Sequence, residues 1–132
     1  MIKLLPLTLL ALAAPLAAAG APHALAGVSD EETTIPSGGI SQYHRGKGDV
    51  LFVLDRTGSW YRIGLNEGCL STTPRIHSVA FDTGKGSSRI DRFSRVLIDQ
   101  GGGTLQASCK VDSIRRSEAP PQVDSKSPVT LD

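Results

Sequence analysis

The chain has 132 residues, with 14 Lys and Arg against 13 Asp and Glu; Lys3 falls in an N-terminal leader, so the rest is formally neutral. That balance excludes the basic field of a nucleic-acid binder and the polybasic face of a peripheral membrane protein. The residues after the leader suffice for one small domain and not two, and two cysteines permit one disulfide, not a cysteine-rich scaffold.

Residues 1–26 read as a secretory signal peptide. Met1 to Lys3 gives a positive start, Leu4 to Ala19 is apolar, and small residues follow. Cleavage after Ala19 or after Ala26 fits the rule of small residues at alternate positions, with the second slightly preferred. A spanning helix needs about 20 apolar residues. This run is shorter, contains Pro6 and Pro15, and has no basic stop-transfer cluster behind it. The expected address is periplasmic or secreted, with no stable membrane span after signal cleavage.

Residues 27–34 (GVSDEETT) are polar and acidic and read as a flexible lead-in. Residues 117–132 hold Pro120, Pro121 and Pro128 among polar residues and read as a disordered tail. The β domain is therefore expected over 35–116. A short strand is expected near 39–43. Asp49–Asp55 (DVLFVLD) is an apolar run and Trp60–Leu65 (WYRIGL) alternates. Between them, Asp55-Arg56-Thr57-Gly58 has the type I turn pattern, so 49–65 reads as a β-hairpin. Its register stays open by one residue, because the first strand is apolar on both faces.

Ile76–Asp82 reads as a further strand and Thr83–Ser88 as a loop. Ser88–Arg95 is ambiguous, since Ile90, Phe93 and Leu97 fit the spacing of one helical face. A second hairpin spans 94–115. A four-residue loop, Gln100–Gly103, would set Ile98 opposite Leu105, Val96 opposite Ala107 and Ser94 opposite Cys109. Leu105, Ala107, Cys109 and Val111 then face inward.

A domain of this size buries only about 60% of its unfolded surface, so a staple is expected. A Cys69–Cys109 bond would tie the two hairpins together. A redox role needs a C-x-x-C spacing or a perturbed thiol, and neither is visible.

The search for chemistry yields little. His44 and His77 are the histidines outside the leader, and no metal-ligand spacing joins them to other ligands. No Ser lies in a nucleophile-elbow motif. Asp82, Asp91, Asp99 and Asp112 fall at strand ends or loops, where Asp caps turns. Gly84-Lys85-Gly86 lacks the further glycine and the strand–loop–helix setting of a phosphate cradle. Arg89, Arg92 and Arg95, interleaved with Asp91 and Asp99, read as a solvated surface. No catalytic residue, cofactor or metal is expected. Trp60 with Arg62, on the face of their strand opposite Tyr61, Ile63 and Leu65, is the candidate partner-binding pair. The competing reading packs Trp60 across Gly64 or under the N-terminal segment, with Arg62 laid on the ring.

Gly38-Gly39-Ile40, Leu51 to Asp55, Gly58, Trp60-Tyr61-Arg62, Gly68-Cys69, Ile76, Phe81-Asp82, Asp91-Arg92-Phe93-Ser94 and Cys109 come in an order that resembles a family of small exported bacterial proteins of unknown function. The resemblance covers about Thr34 to Pro121. It implies a periplasmic address, a compact β-rich domain and pairing of the two cysteines, and no activity. The segment after Cys69 looks shorter and more polar than the usual one.

The expected fold is all-β: a small antiparallel meander of five or six strands forming a barrel or a two-sheet sandwich, with one disulfide. The expected function is a non-catalytic binding or envelope-support protein, its partner an envelope protein or glycan. The alternative is an inhibitor of an envelope-attacking hydrolase, with the loop 83–88 as its probe.

Overall fold

In the computed structural model, which describes residues 25–36, 39–84, 86–102 and 106–126, seven antiparallel strands form one nearly closed, barrel-like sheet. The strands are β1 Val28–Glu32, β2 Ile40–Arg45, β3 Val50–Asp55, β4 Trp60–Leu65, β5 Ser78–Asp82, β6 Arg95–Asp99 and β7 Gln106–Ser117, and a short helix, α1 Pro120–Lys126, follows. The sheet order is β2-β3-β4-β7-β6-β5, with β1 paired to β7. Two three-stranded meanders, β2-β3-β4 and β5-β6-β7, are thus joined where β4 meets β7. The all-β antiparallel class and the Cys69–Cys109 bond expected from the sequence are both present.

The turn fixes the register that alternation left open in the first hairpin. Asp55 Oδ1 accepts the Thr57 and Ser59 amides, each at 2.9 Å, and the Thr57 hydroxyl at 2.7 Å. Gly58 takes the left-handed angle (φ 89°) that the loop requires. Leu54 then pairs with Trp60, and Leu51 with Ile63. Leu51 and Val53 enter the barrel interior with Tyr61, Ile63 and Leu65, while Val50 and Phe52 face out into a second apolar cluster. The run on β3 is apolar throughout because both its faces are covered.

The second hairpin pairs two residues away from the expected register. Val96 lies opposite Cys109 and Ile98 opposite Ala107. Ser94 is not a strand residue facing Cys109: its hydroxyl and amide close a turn with Asp91. The loop is correspondingly longer than four residues. Because strand faces alternate with period two, a shift of two preserves the face, and Cys109 and Val111 are buried as expected. Leu105 lies outside the described residues.

The inward set on β7 changes parity partway along. Cys109 and Val111 are buried, but the next buried residue is Ile114. A bulge accounts for this: Leu65 pairs with Val111 and Gly64 with Ser113, leaving Asp112 as the extra residue. The first half of β7 serves β6 and the second half serves β4 and β1.

Two expectations are corrected, and one segment left ambiguous is settled. The lead-in 27–34 contains β1, whose burial is confined to its first residue, Val28, so no apolar alternation marks it. Pairing with β7 holds it instead, and the Glu32 carboxylate accepts the Ile114 amide (3.0 Å) and the Arg115 guanidinium (3.2 Å). The stretch 117–132 contains the last residue of β7 and then α1, in which prolines occupy the first-turn positions that need no amide donor. Val123 of α1 is fully buried against Val28, Val50 and Phe52. Finally, Ser88–Arg95 is not helical. Ile90 bridges Ile35, and Phe93 projects outward instead of joining Ile90 on one face. Most of the signal segment, Gly38, and 127–132 fall outside the described residues.

Candidate functional site

Trp60 and Arg62 occupy the outer face of β4, opposite the buried Tyr61, Ile63 and Leu65. Trp60 is half-buried against the cluster of Val28, Val50, Phe52 and Val123, with the His44 ring 5.7 Å away. Arg62 is also half-buried, paired across the sheet with Phe52 and Arg115. The N-terminal strand and α1 therefore contribute to the same outer cluster as the indole.

The segment between β4 and β5 that carries Cys69 is held from both ends. Asp49, just before β3, accepts the Gly68 amide (2.8 Å) on one carboxylate oxygen and the Leu70 (2.9 Å) and Ser71 (2.8 Å) amides on the other. Arg45, at the end of β2, donates to the Thr73 and Leu70 carbonyls, both at 2.6 Å. Within the turn, Thr73 donates to the Cys69 carbonyl (2.8 Å) and Thr72 to that of Gly68. Asn66 exchanges hydrogen bonds with the Lys110 backbone, next to Cys109. Partial burial raises the Asp49 pKa, but hydrogen bonds from Ser71, Gly68 and Leu70 outweigh it and hold the carboxyl below its ordinary value. Asp55 follows the same logic: burial raises it, and donors from Ser59, Thr57 and Tyr61 lower it further than burial raises it. Tyr61 is raised by burial and by the neighbouring Asp55 charge.

A different surface stands out at the start of β6. The Ile35–Ile90 bridge pins the chain, and a tight turn follows. Ser94 donates its amide to the Asp91 carbonyl (3.0 Å), Phe93 donates its amide to Asp91 Oδ1 (2.8 Å), and Asp91 donates its amide to Ser94 Oγ (2.9 Å). Ser94 is buried beneath the turn. These bonds present Phe93 to solvent with 85% of its surface exposed, and Arg92 lies 5.6 Å from its ring centre. Beside the ring is a concavity of about 260 Å³, lined by Arg92, Phe93, Arg95, Lys110, Val111 and Asp112. Arg95 is anchored to Ser108 Oγ at 2.8 Å. Three cations face one carboxylate there. Among the described residues none of the three is ion-paired.

This corner joins residues from a turn, β6 and the bulge of β7. The sequence holds the turn signal, Asp91 followed three residues later by Ser94. Helical spacing in the same stretch obscures it and places Phe93 on a core face. The arginines are at the surface as expected, but the sequence does not show Lys110 beside them, because that contact depends on β6–β7 pairing.

Of the four aspartates expected at strand ends or loops, three cap their own turns: Asp82 accepts from Gly84, Asp91 from Phe93 and Asp99 from Gly101. Asp112 is exposed in the bulge. His77 is exposed; the Tyr43 hydroxyl donates to its carbonyl at 3.1 Å. Among the described residues no cluster of three or more His, Cys, Asp or Glu is placed to hold a metal, and no helix is long and apolar enough to cross a membrane. No family model, curated protein or solved structure matches the chain.

Proposed function

We propose that the chain is a non-catalytic binding domain of an oxidising compartment, periplasmic or secreted, which engages an envelope partner through the Phe93 corner. The observation that carries this reading is the 85% exposure of Phe93 on a turn whose polar groups bond to one another. Exposed aromatics on prepared backbones lose little freedom on contact, and aromatic residues are enriched in interfaces. The disulfide and the leader support the compartment. A photo-crosslinking residue placed at 93, 60 or 86 of the exported protein tests it. Discrete adducts from position 93 are expected. Adducts from position 60 alone would move the contact to Trp60 and Arg62, and none from any position would refute the reading.

The hydrolase-inhibitor reading draws on one observation. Gly84 and Gly86 both take left-handed angles (φ 78°), and a Cβ added at either would meet no other atom within 4 Å. Adducts from position 86 with a hydrolase, and inhibition lost when 83–88 is shortened, would favour it.

A further inference from the structure

We propose that the Phe93 corner docks an acidic peptide segment of a partner protein, with one apolar side chain of that segment entering the concavity beside the ring. The inference deepens the reading of Phe93 as the contact and rests on it.

Charge comes first. The lining carries Arg92, Arg95 and Lys110 against Asp112, and the Asp91 carboxylate is turned into its own turn by the Phe93 amide. The chain after the leader is formally neutral as a whole, so this excess is local and favours an anionic occupant. Shape comes second. About 260 Å³ is below the usual range for a small-molecule site and is the scale of one or two side chains. The exposed apolar part of its lining is the Phe93 ring, which a hydrophobic side chain of a peptide can cover. An anionic bilayer would meet the protruding ring and the arginines but would leave a concavity unfilled. Geometry comes third. Arg95 is held by Ser108, and Arg92 sits over the Phe93 ring, so two of the three cations are placed before any partner arrives. A carboxylate on either side of the inserted residue would then meet a guanidinium already in position.

The test uses the oxidised full-length mature protein in amide-resolved NMR titrations. The probe is an end-blocked ten-residue peptide of glutamates and aspartates with two leucines. Its control has glutamine and asparagine for every acidic residue. Vesicles containing phosphatidylglycerol and soluble polygalacturonate form two further arms. The expected result is saturable shifts confined to residues 91–95 and 108–112 with the acidic peptide and weak or no shifts with its control. Affinity should fall about tenfold or more in Phe93→Ala and in Arg92→Glu/Arg95→Glu. It should also fall several-fold on raising salt from about 0.05 to 0.3 M. Phe93 is so exposed that its variant should keep the parent spectrum elsewhere. Equal shifts with the uncharged peptide, or none at up to ~1 mM acidic peptide, would overturn the inference. Shifts at the same residues from vesicles or polygalacturonate alone would overturn the peptide class. In either failure, adducts from position 93 would still uphold the contact surface, and their absence would remove both.

Discussion

Asp49→Ala is the most informative perturbation of the scaffold. The carboxylate satisfies three backbone amides of the segment that carries Cys69, at 2.8 to 2.9 Å. Hydrogen bonds to a charged acceptor contribute about 1.5–3 kcal/mol each when buried. Asp49 is half-buried, so water reaches part of the site after truncation, and helix-cap losses of about 0.5–2 kcal/mol are the closer guide. For the set, about 2–3 kcal/mol follows. A domain of this size loses about 4–8 °C per kcal/mol, so thermal melting at pH 7 should fall by ~10–20 °C. Asp49→Asn should fall in between, since its amide group would oppose either the Gly68 amide or those of Leu70 and Ser71. The pH dependence gives an independent check. The folded pKa lies below the unfolded one, so the stabilisation is full above about pH 4 and is lost as pH falls through the folded value. The gap between wild type and Asp49→Ala should therefore shrink in acid, although Asp55 makes both proteins acid-sensitive. Melting within ~2 °C of wild type at pH 7, or a gap that is constant down to pH 2, would refute the clamp.

Replacing both cysteines opens a covalent loop whose ends are 40 residues apart, which chain entropy values at roughly 4 kcal/mol. The double alanine variant should melt at least ~10 °C lower by circular dichroism, and equal melting would show that the bond is not a main support. Val123→Asp places a charge where 1% of the side chain is exposed, so α1 should undock. The emission of Trp60, the single tryptophan, should then shift to the red; an unchanged spectrum would mean α1 does not shield it. Phe93→Ala removes an exposed ring and should leave melting within about 1 °C. A larger drop would make Phe93 a structural residue and undercut its role as a contact.

The parts of the fold legible in sequence are those where period-two burial and turn chemistry agree. In β3–β4, Tyr61, Ile63 and Leu65 alternate inward and Asp55 to Gly58 closes the turn, so both features point to one hairpin. In β6–β7 the stripe names the right face, but the turn length carries no such signal and the pairing shifts by two. β1 and α1 are hard to read because each is anchored by few apolar residues and held by contacts with distant chain, such as Glu32 to Ile114 and Val123 to Phe52. The candidate site follows the same division. Trp60 is conspicuous as the single tryptophan, yet it joins a cluster completed by β1 and α1. Phe93 looks like core by spacing, and a three-bond turn reverses it.

The bulge at Asp112 bears on self-association. By bending β7, an extra residue lets one strand run through both meanders and curls the sheet, bringing β2 within reach of the segment before β5. A flat sheet of the same strands would display two free margins, each a template for another copy. Curling turns those margins toward each other, with the Tyr43 hydroxyl as a latch on the His77 carbonyl. The device that shapes the barrel thereby leaves less open margin for another copy to extend.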